Sequence, residues 1–424
     1  MKNKNKSNIL FKDYQAACEN QLQIDLSFFR QLDLDPGTYY LAPRPDVWFS
    51  KLKYPLRFKA LFLLFSKSWK FLGSYLYILV MFFLTLGRFI KFHSGENKEL
   101  CYEQYNNVFF TFCSKSLQIA KDDGLGIQPD LIVDFTGEIN EQISGDRLVL
   151  NHYLLINFRD IVHSLFKSLK FNYLFQKQAK GFWVLESYTV YNWVLTGVLV
   201  DKFKGNFIIS EHYDRWAVLV DSCISNRKAQ AKCLNTITLI QHGIVQSLNG
   251  NESVFNLNLP YKLKNIRYLY VYDQESLIFF ENNVLMTLAK KTMDVCFFSP
   301  LIKLTNLSCE KFSVLLVGHP VCLNFHIALC IYLSKNGFNI YYKPHPATKC
   351  SLDKLRASEC ILIVEKEAFP KVDYLISYPS TLTLEYEQHS ISSYVHPLFI
   401  DESSYEEYFI KILSILNLRK VASC

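Results

Sequence analysis

Phe338-Asn339-Ile340-Tyr341-Tyr342, followed by Lys343-Pro344-His345-Pro346-Ala347-Thr348, reads as a β-strand that stops against two prolines. Proline fixes φ and removes a backbone donor, so the segment after Tyr342 cannot continue as a helix or an inner strand. The His345 imidazole is therefore held on a stiff loop at a strand end, where a sheet domain presents groups to a ligand.

The same rhythm extends in both directions. Phe312 to Val317 predicts a buried strand ending at Gly318-His319-Pro320, and a helix from about Asn324 to Asn336 stops at Gly337, a suitable cap residue. Ile361 to Val364 predicts a short strand. Asp373 to Ser377 predicts another, ending in Tyr378-Pro379-Ser380-Thr381; a helix opens near Thr383, and Ser390 to Val395 closes the pattern. Upstream, strands are predicted at Asp130 to Phe135, Lys180 to Glu186, Asn206 to Ser210, Ile237 to Ile240 and Tyr268 to Tyr272, with helical spacing over Tyr188 to Leu199 and Trp216 to Cys223. Strands alternating with helices predict an α/β protein with parallel sheets. Ligand groups in such sheets gather at the carboxyl ends of strands, where Glu211-His212 and Gln241-His242-Gly243 also fall. A chain of 424 residues suits two domains. The Asn-rich stretch from Asn249 to Lys264 places the boundary, giving domains 1–257 and 258–424.

Half of the residues are hydrophobic and a fifth are charged, which excludes a disordered chain. Twelve cysteines without a Cys-x-x-Cys pair suit neither a zinc ribbon nor a secreted disulfide scaffold, and read as reduced core residues. The basic start Met1 to Lys6 is not followed by an apolar core segment, so no signal peptide is expected. The net charge of +7 is concentrated: between Val47 and Gly95 there is no acid, but Lys51, Lys53, Arg57, Lys59, Lys67, Lys70, Arg88 and Lys91. Within it, Phe71 to Gly87 is a run of 17 uncharged residues, short for a span of roughly 20. Region 47–95 therefore reads as a basic, aromatic, helical segment seated on an anionic membrane surface, with a buried hairpin or a true span as alternatives. The charges flank greasy runs and form no basic groove, so no nucleic-acid partner is expected.

The chemistry sits at the strand ends. Ser380 and Thr381 precede a helix, where free N–H groups make an anion site or a hydroxyl simply caps the helix. Glu385 lies four residues beyond Thr381, on the same helix face. His345 can donate to a phosphate oxygen, with Lys343 adding charge. His242 stands before Gly243, which lets the backbone turn, and suits general-base work near neutral pH. Asp33-Leu34-Asp35 runs into Pro36-Gly37 and reads as a turn, so no metal site is expected.

In order, Gln241-His242-Gly243, Gly318-His319-Pro320, Lys343-Pro344-His345-Pro346 and Asp373 through Ser380-Thr381 to Glu385 resemble the inverting GT-B glycosyltransferases of bacterial surface polysaccharides. The closest likenesses are the sialyl-, polysialyl- and Kdo-transferases that use CMP-sugars, and the CDP-glycerol glycerophosphotransferases. The resemblance covers about residues 180 to 400. It implies two Rossmann-like domains facing across a cleft, no cofactor or obligatory metal, and a cytoplasmic enzyme peripheral on the inner face of the membrane. Its partners would be a nucleotide-sugar donor and a glycan or lipid-linked glycan acceptor. It implies donor binding by Gly318, His319, Lys343, His345, Pro346, Ser380, Thr381 and Glu385. Gln241, His212 and Gly243 would lie on the acceptor side. The base would be His242, as in the glycerophosphotransferases, or an acid such as Glu211 or Asp214, as in the sialyltransferases. A CDP-glycerol or ribitol phosphotransferase and a non-catalytic scaffold of a polysaccharide assembly complex are the alternatives.

Overall fold

The structure is a computed structural model that describes residues 2–31, 59–93, 104–121, 125–137, 139, 141–144, 147–178, 189–228, 235–243, 257–299, 302–306, 312–345, 361–365 and 368–423. The strand expected over Lys180 to Glu186, the turn at Asp33 to Asp35, and Pro346 lie outside them. The chain is α/β and forms two compact units.

The first unit opens with α1 (Lys2–Gln31) and α2 (Lys59–His93). Its sheet then takes β1 (Asn107–Thr111), β2 (Leu131–Asp134), β3 (Glu141–Ser144) and β4 (Arg147–Asn151), with α3 (Ser114–Lys121) after β1. Helices α4 (Phe158–Gln178) and α5 (Val190–Val200) lead to β5 (Asn206–Ile209), α6 (Arg215–Lys228), β6 (Ile237–Ile240) and β7 (Ile266–Val271). After α7 (Gln274–Phe279), which belongs to the second unit, a π-turn, α8 (Thr287–Thr292) and β8 (Asp294–Phe297) follow. The strand order is β3-β4-β2-β1-β5-β6-β7-β8. β4, β2, β1, β5, β6 and β7 run parallel, and β3 pairs antiparallel with β4 at one edge. The inner strand β2, Leu131-Ile132-Val133-Asp134, is buried along its whole length, as a parallel strand covered on both faces must be.

The second unit carries β9 (Ser313–Val317), α9 (Leu323–Lys335), β10 (Asn339–Lys343), β11 (Ile361–Ile363), β12 (Tyr374–Ser377), α10 (Thr381–Glu387), β13 (Ser393–Val395) and α11 (Tyr405–Ser423). All five strands are parallel, in the order β11-β10-β9-β12-β13. Val314, Leu316, Phe325, Leu329, Leu333, Ile340, Ile376 and Leu416 pack its core. Gly337 ends α9 at φ +82°, where its own N–H reaches the Ser334 carbonyl and that of Phe338 reaches Leu333.

One expectation and one alternative change. The units do not divide at one point: Leu257–Val271 and Phe280–Cys296 belong to the first and Tyr272–Phe279 and Phe297–Cys424 to the second, because Leu239 pairs with Leu269 and Ile240 with Tyr270, which puts β7 in the first sheet. Phe71 to Gly87 is not part of a buried hairpin but of the single 35-residue helix α2. No disulfide forms among the six cysteines described, and four of them are buried.

Gly318, directly after β9, is required by packing: a Cβ there would lie 2.2 Å from the Tyr342 hydroxyl. Gly318→Ala is expected to destabilise the protein by about 1–3 kcal/mol through overpacking, read as a lower urea midpoint at unchanged slope.

Candidate functional site

In both sheets the first strand is central and the chain winds out to either side, so each has one topological switch point: between β1 and β5 in the first, between β9 and β12 in the second. Open parallel sheets bind ligands outside the carboxyl ends of the strands at this point.

At the first switch point, β5 runs into Ser210-Glu211-His212 and β6 into Gln241-His242-Gly243. The His242 backbone N–H donates to His212 Nε2 over 2.9 Å. His212 therefore keeps its proton on Nδ1, beside the Ile240 carbonyl. His242 directs its Nδ1 at the Ser210 carbonyl. A carbonyl only accepts, so Nδ1 is the protonated nitrogen and Nε2 keeps the lone pair. The rings stand 4.4 Å apart, with Phe280 5.1 Å from His212. Burial holds His242 below the ordinary histidine range, and burial together with His242 holds His212 well below it. Both are neutral at neutral pH. His242 has the state and orientation of a general base.

Glu211 is a different kind of group. It is 3% exposed, and neither carboxyl oxygen has a hydrogen-bond partner among the described residues. Burial, then the charge of Asp214, pushes it up to about 8; the backbone of Phe112 and Ser210 pulls the other way without closing a full bond. Its carboxyl therefore holds its proton to higher pH than an ordinary glutamate. Asp214 is occupied too: its Oδ1 accepts from Trp216 N–H at 2.9 Å and Ala217 N–H at 3.1 Å, capping α6. Cys113, after β1, is pushed up to about 11 by burial and then by Glu211. Gln241 is buried with its N–H on the Tyr270 carbonyl, and Gly243 has open space around it.

At the second switch point, His319 after β9, His345 after β10 and Tyr378 after β12 converge. The His319 ring lies 5.0 Å from His345 and 4.8 Å from Tyr378. His319 Nδ1 accepts from Val321 N–H at 3.2 Å, which leaves Nε2–H as a donor. Burial, and then His345, lowers His319 to about 4; burial lowers His345. These are neutral donors that an arriving anion would encourage to take up protons. The loop is held from behind. The Cys322 thiol lies 3.7 Å from both the His319 carbonyl and His326 Nδ1. His326 Nε2 meets His396 Nε2 at 2.9 Å, and His396 Nδ1 donates to Pro397 at 2.8 Å. The last bond leaves His396 Nε2 to accept, so His326 Nε2–H is the donor of the pair and His326 Nδ1 an acceptor, and the single Cys322 proton goes to that nitrogen or to the His319 carbonyl.

Two expected donor ligands are otherwise engaged. Lys343 is buried, with Nζ donating to the carbonyls of Glu365 at 3.0 Å and Ala368 at 2.7 Å, 4.3 Å from the centre of the Phe369 ring. It anchors a loop. Ser380 is the N-cap of α10, its Oγ accepting from Leu382 N–H at 3.3 Å. Thr381 is half-buried on the first turn, and Glu385 is buried beside Tyr272 and Tyr386. No cluster of three metal-ligating side chains occurs among the described residues.

Sequence reasoning missed Phe112, Cys113, Trp216, Tyr378, His326 and His396. The first two follow β1, whose run Asn107-Val108-Phe109-Phe110-Thr111 carried a readable strand signal. The two histidines carry no such signal, because only the tertiary fold brings them together. No protein-family model and no curated protein matches the sequence.

An acid whose folded-state pKa is raised keeps its proton where the unfolded chain has lost it. Stability is then complete below the ordinary value of 4.5 and declines as pH rises to about 8. Glu211→Gln should flatten this decline, so urea midpoints measured from acid to mildly alkaline pH should fall less steeply than in the unmodified protein. Parallel profiles would show that Glu211 is not perturbed.

Proposed function

We propose that the chain is a metal-independent transferase of GT-B type. It moves a sugar, such as a nonulosonate, from a CMP-activated donor to a hydroxyl of a cell-surface glycan precursor. The observation that carries the reading is the tautomer of His242, locked by Ser210 so that Nε2 keeps its lone pair at the carboxyl end of a parallel strand. His242 removes the acceptor proton, the oxygen attacks the anomeric carbon, and the bond to the donor phosphate breaks with its electron pair leaving on CMP. His319 Nε2–H and His345 stabilise that phosphate, a role in which preorganised donors contribute several kcal/mol. Lys343 and Ser380 support the loop and the helix that flank it.

One observation favours a second reading. A histidine base after β6 is what the likeness to CDP-glycerol phosphotransferases implied, and the two acids that would stand for the sialyltransferase base, Glu211 and Asp214, are both shifted up by burial. The attack would then fall on phosphorus and CMP would still leave.

Thermal unfolding with CMP, CDP, UDP and GDP tests both. A nucleotide at a hundred times its Kd adds about 2.7 kcal/mol, a shift of several degrees. Cytidine nucleotides should give that shift. His345→Ala should remove it, whereas His242→Ala should keep it and lower turnover by about 10²–10⁴-fold. CMP-sugars against CDP-alcohols as donors separate the two reactions. No stabilisation by any nucleotide would make the chain a scaffold and sink both readings.

A further inference from the structure

Helix α2 is two-faced. Ser74, Ile78 and Thr85 are buried, and the Ser74 hydroxyl accepts from Asn172 at 3.0 Å and Gln176 at 2.6 Å on α4. The opposite face leaves Leu72, Leu76, Leu79, Val80, Phe83 and Leu84 exposed, Phe83 by 64%, in steps of three and four residues that form one stripe. Such a stripe marks an interaction surface. Its charge identifies the partner: the surrounding segment from Val47 to Gly95 has eight basic residues and no acid, and Arg88 and Lys91 are exposed in the last turns. That composition fits an anionic lipid surface, with apolar groups in the acyl boundary and cations at the head groups.

The last turns of α2 also begin a chain of rings. Arg88 donates to the Tyr153 hydroxyl at 2.9 Å, and Phe92 stacks on the Tyr153 ring at 5.8 Å. From Tyr153 the rings continue through His152 (3.9 Å), Phe135 (5.0 Å), Phe112 (4.7 Å) and Trp216 (5.0 Å). This row crosses the carboxyl ends of β4, β2 and β1. Asp134 holds its loop through Thr136 and Ile139, and Asn151 through Tyr153. Phe135, Phe112 and Trp216 are half-exposed, and the Phe112 backbone lies beside the Glu211 carboxyl, which has no hydrogen-bond partner among the described residues.

We infer that α2 seats the first unit on an anionic bilayer with this ring-lined strand-end edge against the head groups, so that the acceptor hydroxyl reaching Glu211 and His242 is carried by a membrane lipid. The acceptor part rests on the proposed transferase; the seating does not. The one-sided stripe lays the helix along the surface, since its other face is held by α4.

The test uses the full chain and vesicles of phosphatidylcholine with phosphatidylglycerol at two to one. The protein should float with them and bind pure phosphatidylcholine more weakly. Leu76→Asp with Phe83→Asp, both at exposed positions, should lose binding by about tenfold or more while keeping the circular dichroism of the parent. Leu362→Asp, an exposed apolar position in the second unit, should change nothing. Hydrogen exchange on the vesicles should slow in α2 and also at residues 135–137 and 152–156. Unchanged flotation of the double variant would overturn the seating. Protection confined to α2 would overturn the orientation and the lipid-borne acceptor. Flotation with no nucleotide effect would remove the transferase and leave the seating; the reverse would do the opposite.

Discussion

Parallel pairing of one central strand with neighbours on both sides, β1 between β2 and β5 and β9 between β10 and β12, is the constraint on which the remaining features depend. It requires strands apolar on both faces, as in the fully buried Ser313-Val314-Leu315-Leu316-Val317. It also sends the carboxyl ends of the parallel strands of a sheet to one edge, where the chain must leave the sheet in loops. His319, His345 and Tyr378 meet because β9, β10 and β12 are neighbours, although 59 residues separate His319 from Tyr378 in the chain. Glu211 comes close to Phe112 and Cys113 for the same reason.

The histidines are oriented by backbone. His242 is held by the Ser210 carbonyl, His212 receives the His242 N–H, and His319 receives that of Val321. Backbone groups at strand ends are fixed by the sheet, so these rings need little further ordering before a ligand arrives, which is the advantage of rigid supporting elements. The buried relay from Cys322 through His326 to His396 extends this behind the His319 loop. With each donor matched to an acceptor, it stiffens the loop without placing a charge in the core.

Much of this was legible in the sequence, and the reason is periodicity. Apolar runs punctuated by Gly, Pro and His marked β5, β6, β9, β10 and β12 within a residue or two, and the strand-end rule then pointed to His242, His319 and His345. What failed depended on side-chain direction. Lys343 follows a strand and precedes Pro-His-Pro, so it read as a free charge, yet its long stem carries the ammonium to the carbonyls of Glu365 and Ala368. Asp214 read as a candidate base although the helix predicted from Trp216 starts just after it, because the sequence does not show that its carboxyl is spent on the N–H groups of that first turn. Helix α2 read correctly as basic, aromatic and helical, but no pattern in it could show which face α4 would cover.

The protonation of the first switch point follows mainly from burial, with Asp214 adding to the shift of Glu211, and it constrains the chemistry. Desolvation penalises the charged form of either group: it lowers His242 and raises Glu211. Near neutral pH the site thus holds a neutral base and a neutral acid within one strand end of each other, and the Glu211 proton can be donated to a ligand oxygen. Had both groups been exposed, the histidine would be partly protonated and the glutamate ionised, and they would attract each other instead of a substrate. Two titratable groups whose environments push them in opposite directions divide the acid and base roles between them. In that division a hydroxyl would give its proton to His242 Nε2 and accept a hydrogen bond from Glu211. In the proposed transferase, Glu211 would then discriminate among acceptors by hydrogen bonding, and His242 would carry the proton transfer.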